Sequence, residues 1–182
     1  MKSLEGGPEY GPGKKESSPK SPVRLVKLSP DQWEELRDFK ISSLQQEPIA
    51  FEDFESGMTR YQSRTEEEWR NWLTNRNRVA LFAMDNGRPV GMVSALVGEN
   101  TAYVQHMYVE ENYRGRGISR DLLGTLLESA KLKGAKRATL GVLKEQTAAI
   151  SLYQSFGFKE TAEMGVFRSG KSYKELLMEK VL

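Results

Sequence analysis

The sequence predicts a mixed α/β fold, a single mixed sheet with helices on both faces. Three observations carry this. Residues 79–109 hold three apolar-rich runs joined by turn residues. The last of these, Tyr103 to Val109, leads through the glycine-rich turn Tyr113-Arg114-Gly115-Arg116-Gly117-Ile118-Ser119 into a helix-patterned run, Ser119 to Gly134. A buried-type strand, a helix and further strands follow. The resulting order, β-α-α-β-β-β-α-β-α-β-β, is not that of a doubly wound sheet.

Each element has its own signal. Residues 1–21 are rich in Gly, Pro, Ser and Lys and almost free of large apolar side chains. Such a segment cannot bury enough surface to offset its ordering entropy, so a disordered tail is expected, with one domain over residues 22–182. Val23 to Leu28 alternates as a short strand. Ser29-Pro30-Asp31 opens a helix, with serine as cap and proline at the first position. Trp33, Leu36, Phe39, Ile41 and Leu44 give it an apolar stripe, and Pro48 ends it. Residues 47–56 read as a loop mixing acids and aromatics. Thr65 and Glu68 have capping-box spacing at the start of a second helix reaching Asn75.

Val79 to Met84, Pro89 to Val97 and Thr101 to Val109 are the three strands, with hairpin turns at Asp85-Asn86-Gly87-Arg88 and Gly98-Glu99-Asn100. Leu122, Leu123, Leu126, Leu127 and Ala130 recur at helical spacing, and Gly134 stops that helix. Arg137 to Leu143 is an apolar run suited to a buried strand. Thr147 to Phe156 is a helix stopped by Gly157. Phe158 to Thr161, Met164 to Arg168 and Tyr173 to Val181 are the remaining strand segments.

Composition removes several classes of function. The chain has 182 residues, a net charge of +2, one histidine and no cysteine. Disulfides, thiolate metal sites, acyl-cysteine intermediates and multi-histidine metal sites are therefore excluded, and no metal is expected. A near-neutral chain has no bulk electrostatic grip on nucleic acid or membrane, and Arg114, Arg116 and Arg120 are too small a cluster to supply one. No apolar run approaches the roughly 20 residues of a membrane span, and the N-terminus lacks a secretory core. The expectation is a soluble cytoplasmic protein.

The glycine-rich turn has two readings. It is a plain connection, or it holds a phosphate. Glycines let the backbone turn sharply and approach a ligand, and the free amides at a helix start attract an anion. Arg114, Arg116 and Arg120 add charge that can fork onto phosphate oxygens. Two nucleotide motifs fail in detail. A P-loop needs Lys-Ser or Lys-Thr after its last glycine, where Ile118-Ser119 stands. A dinucleotide fingerprint needs Gly or Ala at Arg120 and an acid ending the next strand, which reads Ala138-Thr139-Leu140-Gly141-Val142.

A second motif, Gln146-Thr147-Ala148-Ala149-Ile150-Ser151-Leu152-Tyr153-Gln154-Ser155-Phe156-Gly157-Phe158, lies one helix and one strand later. With it the chain resembles the GNAT superfamily of acetyl-CoA-dependent N-acetyltransferases over residues 23–182. That family's turn motif is Gln/Arg-x-x-Gly-x-Gly/Ala, which Arg114 and Gly117 match and Ser119 departs from. Its later motif is Asn-x-x-Ala-x-x-Leu-Tyr-x-x-x-Gly-Phe, which Ala149, Leu152, Tyr153, Gly157 and Phe158 match, with Gln146 in place of Asn. A serine near a helix N-terminus is favourable and can bond a phosphate oxygen.

The resemblance implies a GNAT-like splayed sheet, acetyl-CoA as co-substrate and a primary amine as acceptor. Residues 114–120 (Arg114, Gly115, Arg116, Gly117, Ile118, Ser119 and Arg120) would hold the phosphates, with Gln146 and Tyr153 beside the cofactor. The backbone of Met107 and Val109 would pair with the pantetheine arm, an N–H near Val109 polarising the thioester carbonyl. Tyr153 would be the general acid for the leaving thiolate; its other reading is a core tyrosine. Many relatives carry a glutamate base where Tyr103 stands here. His106, the one side chain with an ordinary pKa near neutrality, is the alternative base, or a structural histidine. Glu52, Asp53 and Glu55 are the other candidates for the base, directly or through water; Phe51, Glu52 and Asp53 would meet the acceptor, or the acidic run is simply solvated. Phe54, Tyr61, Trp69 and Trp72 would wall the acceptor site or fill the core. A homodimer is expected only by analogy. The reading from another class is a non-catalytic acyl-CoA-binding or regulatory module on the same fold.

Overall fold

The computed structural model of the protein describes residues 23–50 and 52–182. The expected tail, residues 1–21, and Phe51 lie outside them. The described residues build one seven-stranded sheet in the order β1-β2-β3-β4-β5-β7-β6. The strands are β1 (Arg24–Val26), β2 (Arg78–Asp85), β3 (Arg88–Val97), β4 (Thr101–Val109), β5 (Arg137–Leu143), β6 (Lys159–Arg168) and β7 (Lys171–Val181). The helices are α1 (Trp33–Gln46), α2 (Phe54–Ser63), α3 (Glu66–Thr74), α4 (Ile118–Leu132) and α5 (Thr147–Ser155). All neighbouring strands are antiparallel except β4 and β5, whose parallel pairing needs the α4 crossover.

The alternation of each strand divides the core. Val79, Leu81 and Ala83 of β2 pack with Leu122, Leu126 and Ala130 of α4 and with Tyr153 of α5. Phe82 of β2, Met92 of β3 and Tyr108 of β4 point the other way, against Leu36 and Phe39 of α1, Tyr61 of α2, and Trp69 and Trp72 of α3. The aromatic residues Tyr61, Trp69 and Trp72 are thus buried core. Local signals place the helices. The Glu68 amide donates to Thr65 Oγ1 (3.3 Å) and the Thr65 amide to Glu68 Oε2 (2.8 Å), the expected capping box.

Two segments depart from the sequence reading. The expected loop 47–56 gives way to helix at Phe54, because the Asp53 carboxylate caps α2 by accepting from the Ser56 amide (3.1 Å). The two segments expected at 158–161 and 164–168 are one strand, β6. Its register against β7 shifts between Glu160 and Ala162, so the apparent break is a β-bulge.

The irregularity that matters for the site is in β4. Met92 faces Tyr108, but Ser94 faces Gln105, so β4 holds an extra residue between these pairs. His106 sits in this bulge with a φ of 54°. A bulge bends its strand and increases the local twist. β4 pairs with β5 only from Thr101 to Tyr103, whereas β5 stays paired with β7 along its length. The sheet therefore opens between residues 104–109 of β4 and residues 140–143 of β5.

Candidate active site

The opening in the sheet is a cleft with two lobes that share Ala50, Met107, Gln146 and Ala149. The larger lobe, about 490 Å³, runs from Met107, Tyr108 and Val109 to the turn at Arg114, Gly115 and Ser119. The smaller, about 210 Å³, lies between Gln105 and His106 of β4, Gly141 of β5, and Arg168 and Glu175 of the terminal hairpin, with Tyr153 in its wall.

At the far end of the larger lobe the turn has the form an anion needs. Gly115 and Gly117 have φ values of 73° and 82°, which side-chain-bearing residues rarely adopt. Gly117 is the N-cap of α4, a 15-residue helix. The first backbone bonds into that helix come from Arg120 and Asp121 to the Gly117 carbonyl, so among the described residues the amides of residues 115–119 have no backbone partner. Ile118 anchors the helix start in the core, while Ser119 faces the lobe. Of the three arginines, Arg114 lines the lobe. Its Nε donates to the Val109 carbonyl (3.0 Å) and its Nη2 to Glu47 (2.8 Å). Arg116 instead donates to the Asn112 carbonyl (2.6 Å), and the Arg120 guanidinium lies 5.5 Å from the centre of the Phe156 ring.

The bond from Arg114 shows that the Val109 main chain faces the cleft. The Glu110 amide bonds to Val90 of β3 (3.0 Å), so by strand alternation the Val109 amide also points into the opening. Gln146 stands at the N-terminus of α5 and lines both lobes. Tyr153 is buried, with its ring centre 5.8 Å from that of Phe158. Burial pushes its phenol pKa upward from 10, and no hydrogen bond to its hydroxyl forms among the described residues. It is a protonated hydroxyl at the cleft wall.

His106 lines the smaller lobe, with Nδ1 3.1 Å from Ser94 Oγ and its ring edge-on to Trp72. Burial pushes its pKa well below 6.5, and the charges of Lys40, Arg78, Arg60 and Arg64 push the same way. The imidazole is neutral at pH 7. The acidic residues expected near the acceptor serve structural bonds. Glu52 accepts from the Tyr61 hydroxyl (2.7 Å) and pairs with Arg60. Asp53 caps α2 and accepts from the Ser169 amide (2.6 Å), tying that helix to the β6–β7 hairpin. That double use holds its carboxylate pKa below the usual value, the Ser169 bond contributing most.

Two charged residues of the smaller lobe were not expected from sequence, Arg168 and Glu175. Arg168 Nη2 donates to Glu175 Oε1 (2.6 Å) and Nη1 to the Ile49 carbonyl (2.7 Å). Only the hairpin register brings them together, and no sequence motif marks it.

Comparison with known proteins gives a consistent picture. The model of the acetyltransferase (GNAT) family matches residues 40–158. An uncharacterised N-acetyltransferase of Methanocaldococcus jannaschii is 33% identical over 97 residues, covering 49% of this chain and 43% of that protein. The chain spans less than half the length of relatives of this kind. A GNAT-family acetyltransferase from Streptococcus pneumoniae superposes with a TM-score of 0.74 at 24% identity, covering 88% of this chain and 99% of that one. The structure of yncA from Salmonella typhimurium with its cofactor acetyl-CoA gives 0.72 at 20% identity, covering 89% and 95%. At these identities the superpositions show a shared fold. Among the described residues no helix is long and apolar enough to cross a membrane.

Proposed function

Because the chain belongs to the acetyltransferase (GNAT) family, we propose that it transfers the acetyl group of acetyl-CoA to a primary amine, directly, within a ternary complex. The observation that carries this is the split between β4 and β5, which ends at the unpartnered amides of the Gly115–Gly117 turn. A diphosphate fits those amides and the positive end of α4. The strand-like pantetheine arm fits the gap beside Val109, and the thioester then falls at the junction of the two lobes.

The amine nitrogen attacks the thioester carbon. The Val109 amide stabilises the oxygen that gains charge, the C–N bond forms and the C–S bond breaks. Tyr153 gives its proton to the departing thiolate, and neutral His106 takes the proton lost by the amine. A panel of amines with acetyl-CoA, a thiol indicator and mass spectrometry of the products tests the reading. It expects thiol release matched by an acetylated amine; acetyl-CoA binding without release would favour a binding module. For His106→Ala, the acidic limb of the kcat/KM profile, set well below pH 6.5 in the wild type, is expected to disappear. An unshifted limb would clear His106 of the base role.

A further inference from the structure

The smaller lobe carries a charge arrangement that acetyl transfer by itself does not require. Glu175 stands on β7 opposite Leu143 of β5 and Met164 of β6. Its carboxylate lies across Gly141: a Cβ built at that glycine would meet Glu175 Cδ and Oε2 at 2.8 Å each. Any side chain at 141 would therefore displace the carboxylate.

The carboxylate is bonded on one side only. Oε1 accepts from Arg168, while among the described residues Oε2 has no hydrogen-bond partner. Arg168 is 9% exposed and fixed at both ends of its fork, to Glu175 and to the Ile49 carbonyl. A guanidinium has five N–H donors, so donors remain beyond these two bonds. Both residues line the cavity that Tyr153 and His106 also line. The lobe thus offers one anionic acceptor and one cationic donor set side by side, held by each other and by the backbone. Such a neutral pair matches a ligand that is itself a neutral pair. It gives little net attraction to a simple alkylammonium ion, and a volume of about 210 Å³ suits a small molecule.

We propose that this lobe is the acceptor subsite, and that the acceptor is a small amino-carboxylate of the α-amino-acid type, its ammonium on Glu175 Oε2 and its carboxylate on the spare N–H donors of Arg168. The inference rests on the acetyltransferase reading above and names its substrate class. Glu175 and Arg168 are binding residues; the proton transfers stay with Tyr153 and His106.

The first arm of the test uses wild-type protein. With saturating acetyl-CoA, kcat/KM is measured for the common L-amino acids, for their carboxamides and for simple alkylamines. At least one amino acid is expected to exceed its own carboxamide by about 10-fold or more, the discrimination given by one buried charge-assisted bond. Glu175→Gln is then expected to raise the amino-acid KM about 10-fold, with kcat much less affected and acetyl-CoA affinity by calorimetry unchanged. Gly141→Ala, which pushes the same carboxylate aside without removing it, is expected to act in the same direction. Equal kcat/KM for acid and carboxamide, or an unchanged KM in Glu175→Gln, overturns the proposal. Protein that acetylates only peptides or alkylamines overturns the amino-acid assignment and leaves the acetyltransferase reading intact. Protein that binds acetyl-CoA and acetylates no amine overturns both.

Discussion

Replacing Tyr153 with phenylalanine is expected to lower kcat about 10²-fold and to leave acetyl-CoA affinity nearly unchanged. The leaving group is a thiolate, with a conjugate acid near pKa 8.5 if it resembles a cysteine thiol, about 1.5 units below an ordinary phenol. The phenol is the weaker acid of the two, and burial weakens it further, so its main contribution is a hydrogen bond to the sulfur as charge develops there, with the proton passing only as the C–S bond breaks. Burial holds the Tyr153 hydroxyl protonated across the working pH range, the state a general acid needs. The substitution removes one oxygen and keeps the ring, so the contact with Phe158 survives and the fold should not change. A core tyrosine would give a different result. Its loss of an oxygen would alter stability slightly and turnover hardly at all. Steady-state kinetics with calorimetry for acetyl-CoA separates the two, and wild-type turnover in Tyr153→Phe would remove the proposed role.

The largest expected stability effect lies in the core behind His106, at Lys40. Lys40→Met should stabilise the protein at pH 7 by about 1–4 kcal/mol, by analogy with buried charges replaced by apolar side chains. Lys40 is 2% exposed, and its Nζ makes no hydrogen bond among the described residues. It lies 4.8 Å from the Tyr61 ring centre and 5.2 Å from that of Trp72. Burial, above all, holds its pKa well below 10.5, with the charge of Glu52 opposing and those of Arg64, Arg78 and Arg60 assisting. In the unfolded chain the amine titrates near 10.4. Between the depressed folded value and that pH, the unfolded state binds a proton that the folded state does not. Stability therefore rises with pH across this window, by about 1.4 kcal/mol per unit from this group, and the penalty is fully present below it. Methionine removes both the penalty and the slope. Thermal unfolding should show a raised Tm at pH 7, by about 2–4 °C per kcal/mol, and a smaller difference at pH 9. A lower Tm for the variant at pH 7 would mean that attraction to the two rings outweighs desolvation.

Lys40 also shows where a sequence stops being legible. Leu36, Phe39, Lys40, Ser43 and Leu44 are the buried positions of α1, a regular helical stripe. The period marks position 40 as buried while the charge marks it as exposed, and composition alone cannot decide between them. The glycine-rich turn was readable because positive φ and free amides demand a particular residue type, and the strand–turn–helix order fixes where they point. Tyr153 and Gln146 were singled out only by resemblance to the family's later motif; their spacing alone fits a core tyrosine and a helix start equally well. His106 could be placed beside the cleft, but not its bulge, since nothing in an ordinary histidine signals a φ of 54°. Helix α2 was hidden because the helical spacing of Phe54, Met58 and Tyr61 follows directly on the acids Glu52 and Asp53 and is interrupted by a glycine at 57. Asp53 reads in sequence as part of an acidic attraction; its cap to Ser56 is local, and its bond to Ser169 depends on a hairpin more than 100 residues later. The pairing of Arg168 with Glu175 depends on the tip of the β6–β7 hairpin, where Arg168 faces Lys171 and Glu175 faces Met164, so their two long side chains reach along one strand pair. Long-range register of this kind is set by packing, and the local sequence does not record it.

We propose that the amides around Gly115 and Gly117 hold the diphosphate of coenzyme A. Isothermal titration of the folded protein with coenzyme A, and separately with pantetheine, tests it most directly. One site per chain is expected for coenzyme A, with a Kd of about 1 µM–1 mM, and pantetheine, which lacks the diphosphate together with its nucleoside, is expected to bind at least about 10-fold more weakly. No binding of coenzyme A, or equal binding of the two, would contradict it.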